Sequence, residues 1–108
     1  MAANGRGSIG VFQPLIPIFK GECYEFWSIK MKTLFKSQDL WDLAETGFNS
    51  NEADEGRLRE NKKKDSKALF FLQQAVNDTI FSRIAMASTS KEAWETLQKE
   101  FMGSSKDP

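Results

Sequence analysis

The chain has no histidine and a single cysteine, Cys23. Those two shortages exclude more chemistry than any motif supplies. Without a second thiol there is no internal disulfide framework, and a reducing, intracellular compartment is the simpler expectation. Zinc sites built on paired Cys and His are excluded, as is imidazole acid–base catalysis. No histidine is present to activate Cys23, so a nucleophilic thiol is not expected. Excess charge of one sign is also missing, because 15 Lys and Arg face 15 Asp and Glu. A balanced chain lacks the global positive field that most nucleic-acid binders carry. No apolar run approaches the roughly 20 residues needed to span a bilayer. No basic-then-apolar leader opens the chain, and Ala2 stands where N-myristoylation needs glycine. A soluble chain with no membrane contact is expected. There is no glycine-rich phosphate loop, and the close carboxylates Asp39 and Asp42 have no second catalytic group beside them. Neither an enzyme, nor a cofactor, nor a metal is expected.

What is present is a compact amount of apolar sequence in helical register. At 108 residues, 40% hydrophobic and 28% charged, the chain is sized for one globular domain that buries about two-thirds of its unfolded surface. Residues 1–10 are small, polar and glycine-rich, and read as a flexible tail. Over 11–20 the composition turns apolar, and Pro14 and Pro17 bias Gln13 and Ile16 towards extended backbone. That stretch reads as an extended arm, without a strand unless it pairs with something. From Gly21 the pattern becomes helical. Tyr24, Trp27, Met31, Leu34 and Phe35 fall on one stripe of a 3.6-residue period. A break near Ser37 starts a short second helix with Leu40, Trp41, Leu43 and Ala44, which Gly47 closes. Residues 48–56 read as a loop. A long helix is expected from about Arg57 to Val76, with Ala68, Phe71, Leu72, Ala75 and Val76 as its buried stripe. Asp78 is the expected N-cap of a fourth helix bearing Ile80, Phe81, Ile84 and Ala85. Thr89 and Glu92 form a capping box for a fifth, with Ala93, Trp94, Leu97 and Phe101. Gly103 ends it, and 104–108 is a tail or a linker to a further lobe. The expectation for 21–103 is an all-α bundle of about five helices.

In that order the residues resemble a known family. The run Gln13-Pro-x-Ile-Pro-x-Phe-x-Gly21, then Tyr24-x-x-Trp27, Met31, Leu34 and Ser37-x-x-Leu40-Trp41-x-Leu43-x-Glu45-x-Gly47, resembles the N-terminal part of Gag from plant copia-type LTR retrotransposons. So do Lys64-Asp65-x-Lys67-Ala68-Leu69-Phe70-x-Leu72-Gln73-Gln74-Ala75, Ile84-Ala85, Thr89-Ser90-Lys91-Glu92-Ala93-Trp94-x-x-Leu97 and Phe101-x-Gly103-Ser104. The resemblance implies the N-terminal lobe of a capsid protein, copies of which self-associate into virus-like particles around element RNA. It implies a cytoplasmic location, with the nucleus as a second one. In complete Gag a second capsid lobe and a zinc knuckle follow. No knuckle pattern occurs in these residues, so RNA packaging by that route is not carried over. A related neuronal Gag-derived protein binds extended peptides in an N-lobe groove, which makes a host-adopted adaptor the alternative.

Three constellations are candidates for contact. The arm offers Pro14, Ile16, Pro17, Ile18 and Phe19, either to a neighbouring copy or to its own bundle. The aromatic stripe, with Tyr24 and Trp27, is either core or the lining of a groove. Phe70 lies off the stripe of its helix and Phe48 sits in the loop, which makes both candidates for exposed apolar contacts. Lys62, Lys63 and Lys64 are the one basic concentration and the candidates for weak RNA contact, diluted by Glu60 and Asp65 and otherwise a solvated helix face.

Overall fold

The computed structural model describes residues 15–102, and their core is built by five helices packed with an extended N-terminal segment. The helices are α1 (Tyr24–Ser37), α2 (Trp41–Thr46), α3 (Glu55–Gln74), α4 (Asp78–Ile84) and α5 (Ser90–Leu97), the last prolonged by a π-turn over Gln98–Met102. Among the described residues there is no strand, only one isolated parallel bridge between Phe19 and Val76. The all-α bundle expected from the periodicity is the observed class. Helix α5 is its hub and touches α2, α3 and α4, while α1 packs on α2 and the π-turn.

The apolar stripes of α1, α3 and α5 behave as their spacing dictates, whereas on α4 only Ile80 and Ile84 are buried and Phe81 and Ala85 are exposed. Tyr24, Trp27, Met31, Leu34 and Phe35 are buried on α1, as are Ala68, Phe71 and Leu72 on α3 and Ala93, Trp94 and Leu97 on α5. Trp94 is the aromatic centre: its ring stacks on Trp27 at 5.9 Å and meets Trp41 edge-on at 5.2 Å. Such pairs contribute about 0.5–1.5 kcal/mol each beyond simple burial.

The helix ends differ in detail from the sequence expectation, each for a local reason. Helix α1 runs through Ser37, whose Oγ donates to Leu34 O at 2.7 Å, and Asp39 then reverses the chain at φ 62°. The second helix therefore opens at Trp41 instead of Ser37 or Gln38. Asp54 starts α3 two residues early by accepting from Arg57 N at 3.1 Å. That helix also stops at Gln74, short of Val76, because its next backbone groups bond to the arm. Phe19 N donates to Ala75 O at 2.7 Å and Asn77 N donates to Phe19 O at 3.2 Å. Asn77, not Asp78, caps α4, its Oδ1 accepting from Ile80 N at 3.0 Å. Thr89 caps α5 as expected, accepting from Glu92 N, but Glu92 reaches back to Ser88 N at 2.9 Å. At Gly47 the chain takes φ 79°, a left-handed value that suits glycine and ends α2.

Helix α5 has a second cap from across the bundle. Asp65 of α3 is buried, and its Oδ1 accepts from Ser90 N at 3.1 Å and Ser90 Oγ at 2.6 Å. A carboxylate at a helix N-terminus meets both free N–H groups and the positive end of the dipole. This bond ties the middle of α3 to the first turn of the hub helix.

Candidate interaction surface

The described part of the arm lies on its own bundle. Phe19 is fully buried, stacked on Trp27 at 5.1 Å and edge-on to Tyr24 at 5.6 Å and Phe101 at 4.9 Å. Trp27 Nε1 donates to Pro17 O at 3.0 Å, which fixes the arm along α1. Ile16 is half-buried against the core, whereas Ile18 is 49% exposed. Pro14 lies outside the described residues. Phe19, Tyr24 and Trp27 thus face inwards together. What the arm leaves open is a shallow apolar groove lined by Leu15, Ile16, Pro17, Lys30, Thr33 and Leu34.

Tyr24 carries a feature that the sequence did not reveal. Its hydroxyl is buried and has no hydrogen-bond partner among the described residues. Burial pushes its pKa up to about 12, because a phenolate there would shed its hydration with nothing to replace it. A cleft of about 340 Å³ opens beside it, between Cys23 and Phe26 on one side and Phe101 and Met102 on the other. Cys23 itself is exposed, in a left-handed conformation at φ 58°, and gives α1 no side-chain cap.

The other candidates are scattered. Phe70 stands out from α3, 53% exposed. Phe48 is half-buried against the core, so the expectation of an exposed loop phenylalanine is corrected. The three lysines part company: Lys62 and Lys63 point into solvent, while Lys64 Nζ donates to Asp39 Oδ2 at 2.8 Å. That bond, with the attraction between the charges, holds the Asp39 carboxyl below its ordinary value and raises the Lys64 ammonium. Lys64 is therefore committed to the corner between α1 and α2.

The exposed apolar residues that the periodicity passed over are Leu15, Phe26, Ile29 and Met86, at 95%, 70%, 63% and 92% exposure. For Phe26 and Ile29 a signal existed. Both lie off the buried stripe of α1, three residues apart, so one face of the helix carries them together. Among the described residues, no group of three potential ligands gathers for a metal, and no helix is long and apolar enough to cross a membrane.

A five-helix bundle with a buried aromatic centre defines a small all-α helical domain. The particular family is given by comparison: residues 31–107 match the gag-polypeptide of LTR copia-type, and the chain belongs to that family. Its role is accordingly that of a Gag structural polypeptide, the non-enzymatic part of the element. The match begins at Met31, so the arm and the first half of α1 lie outside it. No curated protein and no solved structure matches the chain.

Proposed function

We propose that this chain is the N-terminal capsid lobe of Gag from a plant copia-type element, and that its copies associate without covalent bonds into a virus-like shell around element RNA in the cytoplasm. The copia-type Gag match over residues 31–107 carries this reading. The surface supports it: Leu15, Ile18, Phe26, Ile29 and Phe70 are large apolar residues left outside a core that already closes. Shell-building contacts are individually weak and repeated, and gain strength through multivalency.

A host-adopted module that binds another protein is the second reading, favoured by the half-exposed Phe70 on α3. Solution mass by light scattering, from micromolar to millimolar protein, separates the two. Mass that climbs with concentration towards large particles supports the shell. A strict monomer across that range, joined to saturable binding of one non-Gag protein that Phe70→Ser abolishes, supports the adaptor. Phe70→Ser leaves the fold intact in either case, since the side chain is not part of the core.

A further inference from the structure

The arm is joined to the bundle by a short, sharply folded turn. Lys20, Gly21, Glu22 and Cys23 link buried Phe19 to buried Tyr24, and all four are exposed. Two of them take left-handed backbone, Gly21 at φ 100° and Cys23 at φ 58°. The Phe19 and Tyr24 rings lie 5.6 Å apart, whereas the same five residue steps drawn out would reach about 17 Å. Among the described residues no hydrogen bond closes the turn, and Cys23 gives α1 no side-chain cap. Glycine adopts a left-handed φ freely, but a cysteine does so at a cost. The fold-back therefore strains the chain and buries none of the turn. What the arm gains lies beyond it, and none of that requires arm and bundle to belong to one chain. Phe19 packs on Trp27, Tyr24 and Phe101, its backbone bonds to Ala75 and Asn77, and Pro17 O accepts from Trp27 Nε1. A short strained hinge carrying a self-contained docking segment favours exchange between copies.

We infer that two copies exchange arms: the turn at 20–23 opens in each, and Phe19 of one copy enters the Phe19 site of the other, reciprocally, about a two-fold axis between the hinges. The inference rests on the self-association reading above and names its means. The exchanged pair keeps every arm contact of the closed chain and relieves two hinges, set against the entropy of joining two molecules. Concentration therefore decides which form dominates. Passage between the forms requires Phe19 to leave the core, so closed and exchanged chains interconvert slowly and separate on a column. The arm and its hinge precede Met31, so the exchanging segment falls outside the matched Gag stretch.

The test is size-exclusion chromatography with light scattering on the full chain, with helicity followed by circular dichroism. Gly21→Ala is the informative variant, because a Cβ there meets only Ile80 Cδ1, at an ordinary 3.7 Å, and the substitution acts through the left-handed φ alone. It is expected to raise the dimer association constant at least about tenfold, since each pair opens two hinges. Cys23→Gly removes the cost at φ 58° and is expected to lower that constant severalfold. Dimers are then formed by refolding isotope-labelled and unlabelled chains together, and isotope-filtered nuclear Overhauser contacts are read. Contacts from Phe19 of one chain to Val76 or Trp27 of the other are expected. Dimers in which Phe19 touches only its own chain overturn the exchange and leave the self-association reading standing. Association that Gly21→Ala does not raise and Cys23→Gly does not lower, with helicity intact, overturns it as well. A chain that stays monomeric to millimolar concentration, both as wild type and as Gly21→Ala, overturns both readings.

Discussion

Tyr24 shows how one atom can carry a measurable consequence. Its hydroxyl sits buried without a hydrogen-bond partner among the described residues, and its pKa is raised to about 12 from an ordinary 10.0. The folded protein therefore holds this proton more tightly than the unfolded chain. Below the unfolded value both states are protonated and stability is unaffected. As pH rises from about 10 to about 12, the unfolded state ionises first and the fold loses stability. Tyr24→Phe is expected to remove that part of the alkaline loss, and to leave neutral-pH stability equal or higher by up to about 1 kcal/mol, because an unsatisfied buried hydroxyl is removed. Urea titrations at a series of pH values check both statements. The chain has one tyrosine, so its ultraviolet phenolate absorbance reports this site alone. Nothing in the spacing of Tyr24 marks the hydroxyl as an orphan. The helical stripe places the ring in the core, but the fate of its oxygen depends on which groups from the arm and the π-turn surround it.

At the scale of elements, the arm behaves as a sixth piece of the bundle. Its two backbone hydrogen bonds to the α3–α4 junction and the buried Phe19 ring replace what a longer α3 would have supplied. Phe19→Ala is expected to cost about 3–5 kcal/mol, the range for truncating a buried phenylalanine. Ile18→Ala, at a half-exposed neighbour, should cost well under that, and denaturant titration distinguishes the two. The contrast matters for assembly, since a deletion of residues 1–20 would remove a core residue along with any intermolecular contact. An extended backbone at Ile16 was to be expected from Pro17. The arm's register was not, because placing Phe19 beside Val76 brings together residues 57 positions apart, which no local pattern encodes. Capping was partly readable for the opposite reason. Thr89 and Gly47 act within one turn of their own sequence, whereas Asp65 caps Ser90 from another helix and looks in the sequence like a charge misplaced on an apolar stripe.

For the whole molecule, the question is which surface meets which partner. Charge balance disfavours broad nucleic-acid binding, and Lys64 is already paired with Asp39. Replacing Lys62, Lys63 and Lys64 together by Gln is expected to leave any RNA affinity of this chain within about twofold, with no change in its salt dependence. Filter binding at two salt concentrations checks this. A steep salt slope that the substitutions flatten would instead make α3 an RNA-binding element. The exposed large apolar side chains are spread over the arm, α1, α3, α4 and the turn that follows it, an arrangement that the proposed shell-forming role would use.

The sequence by itself determined the class of this protein. The absence of histidine and of a second cysteine removed zinc sites built on Cys and His and imidazole chemistry, and the 3.6-residue stripes set five helices and most of the core. Those properties are local: each depends on residues within a few turns of one another. The tertiary structure decided where the described part of the arm lies, which of the three lysines is paired, and that Phe26 and Ile29 share an uncovered face while Phe48 does not stay exposed. Burial is a property of the assembled bundle, since a side chain's neighbours come from segments far apart in the chain. Only packing α5 between α2, α3 and α4 settles which apolar residues are used up in the core and which remain for a second molecule.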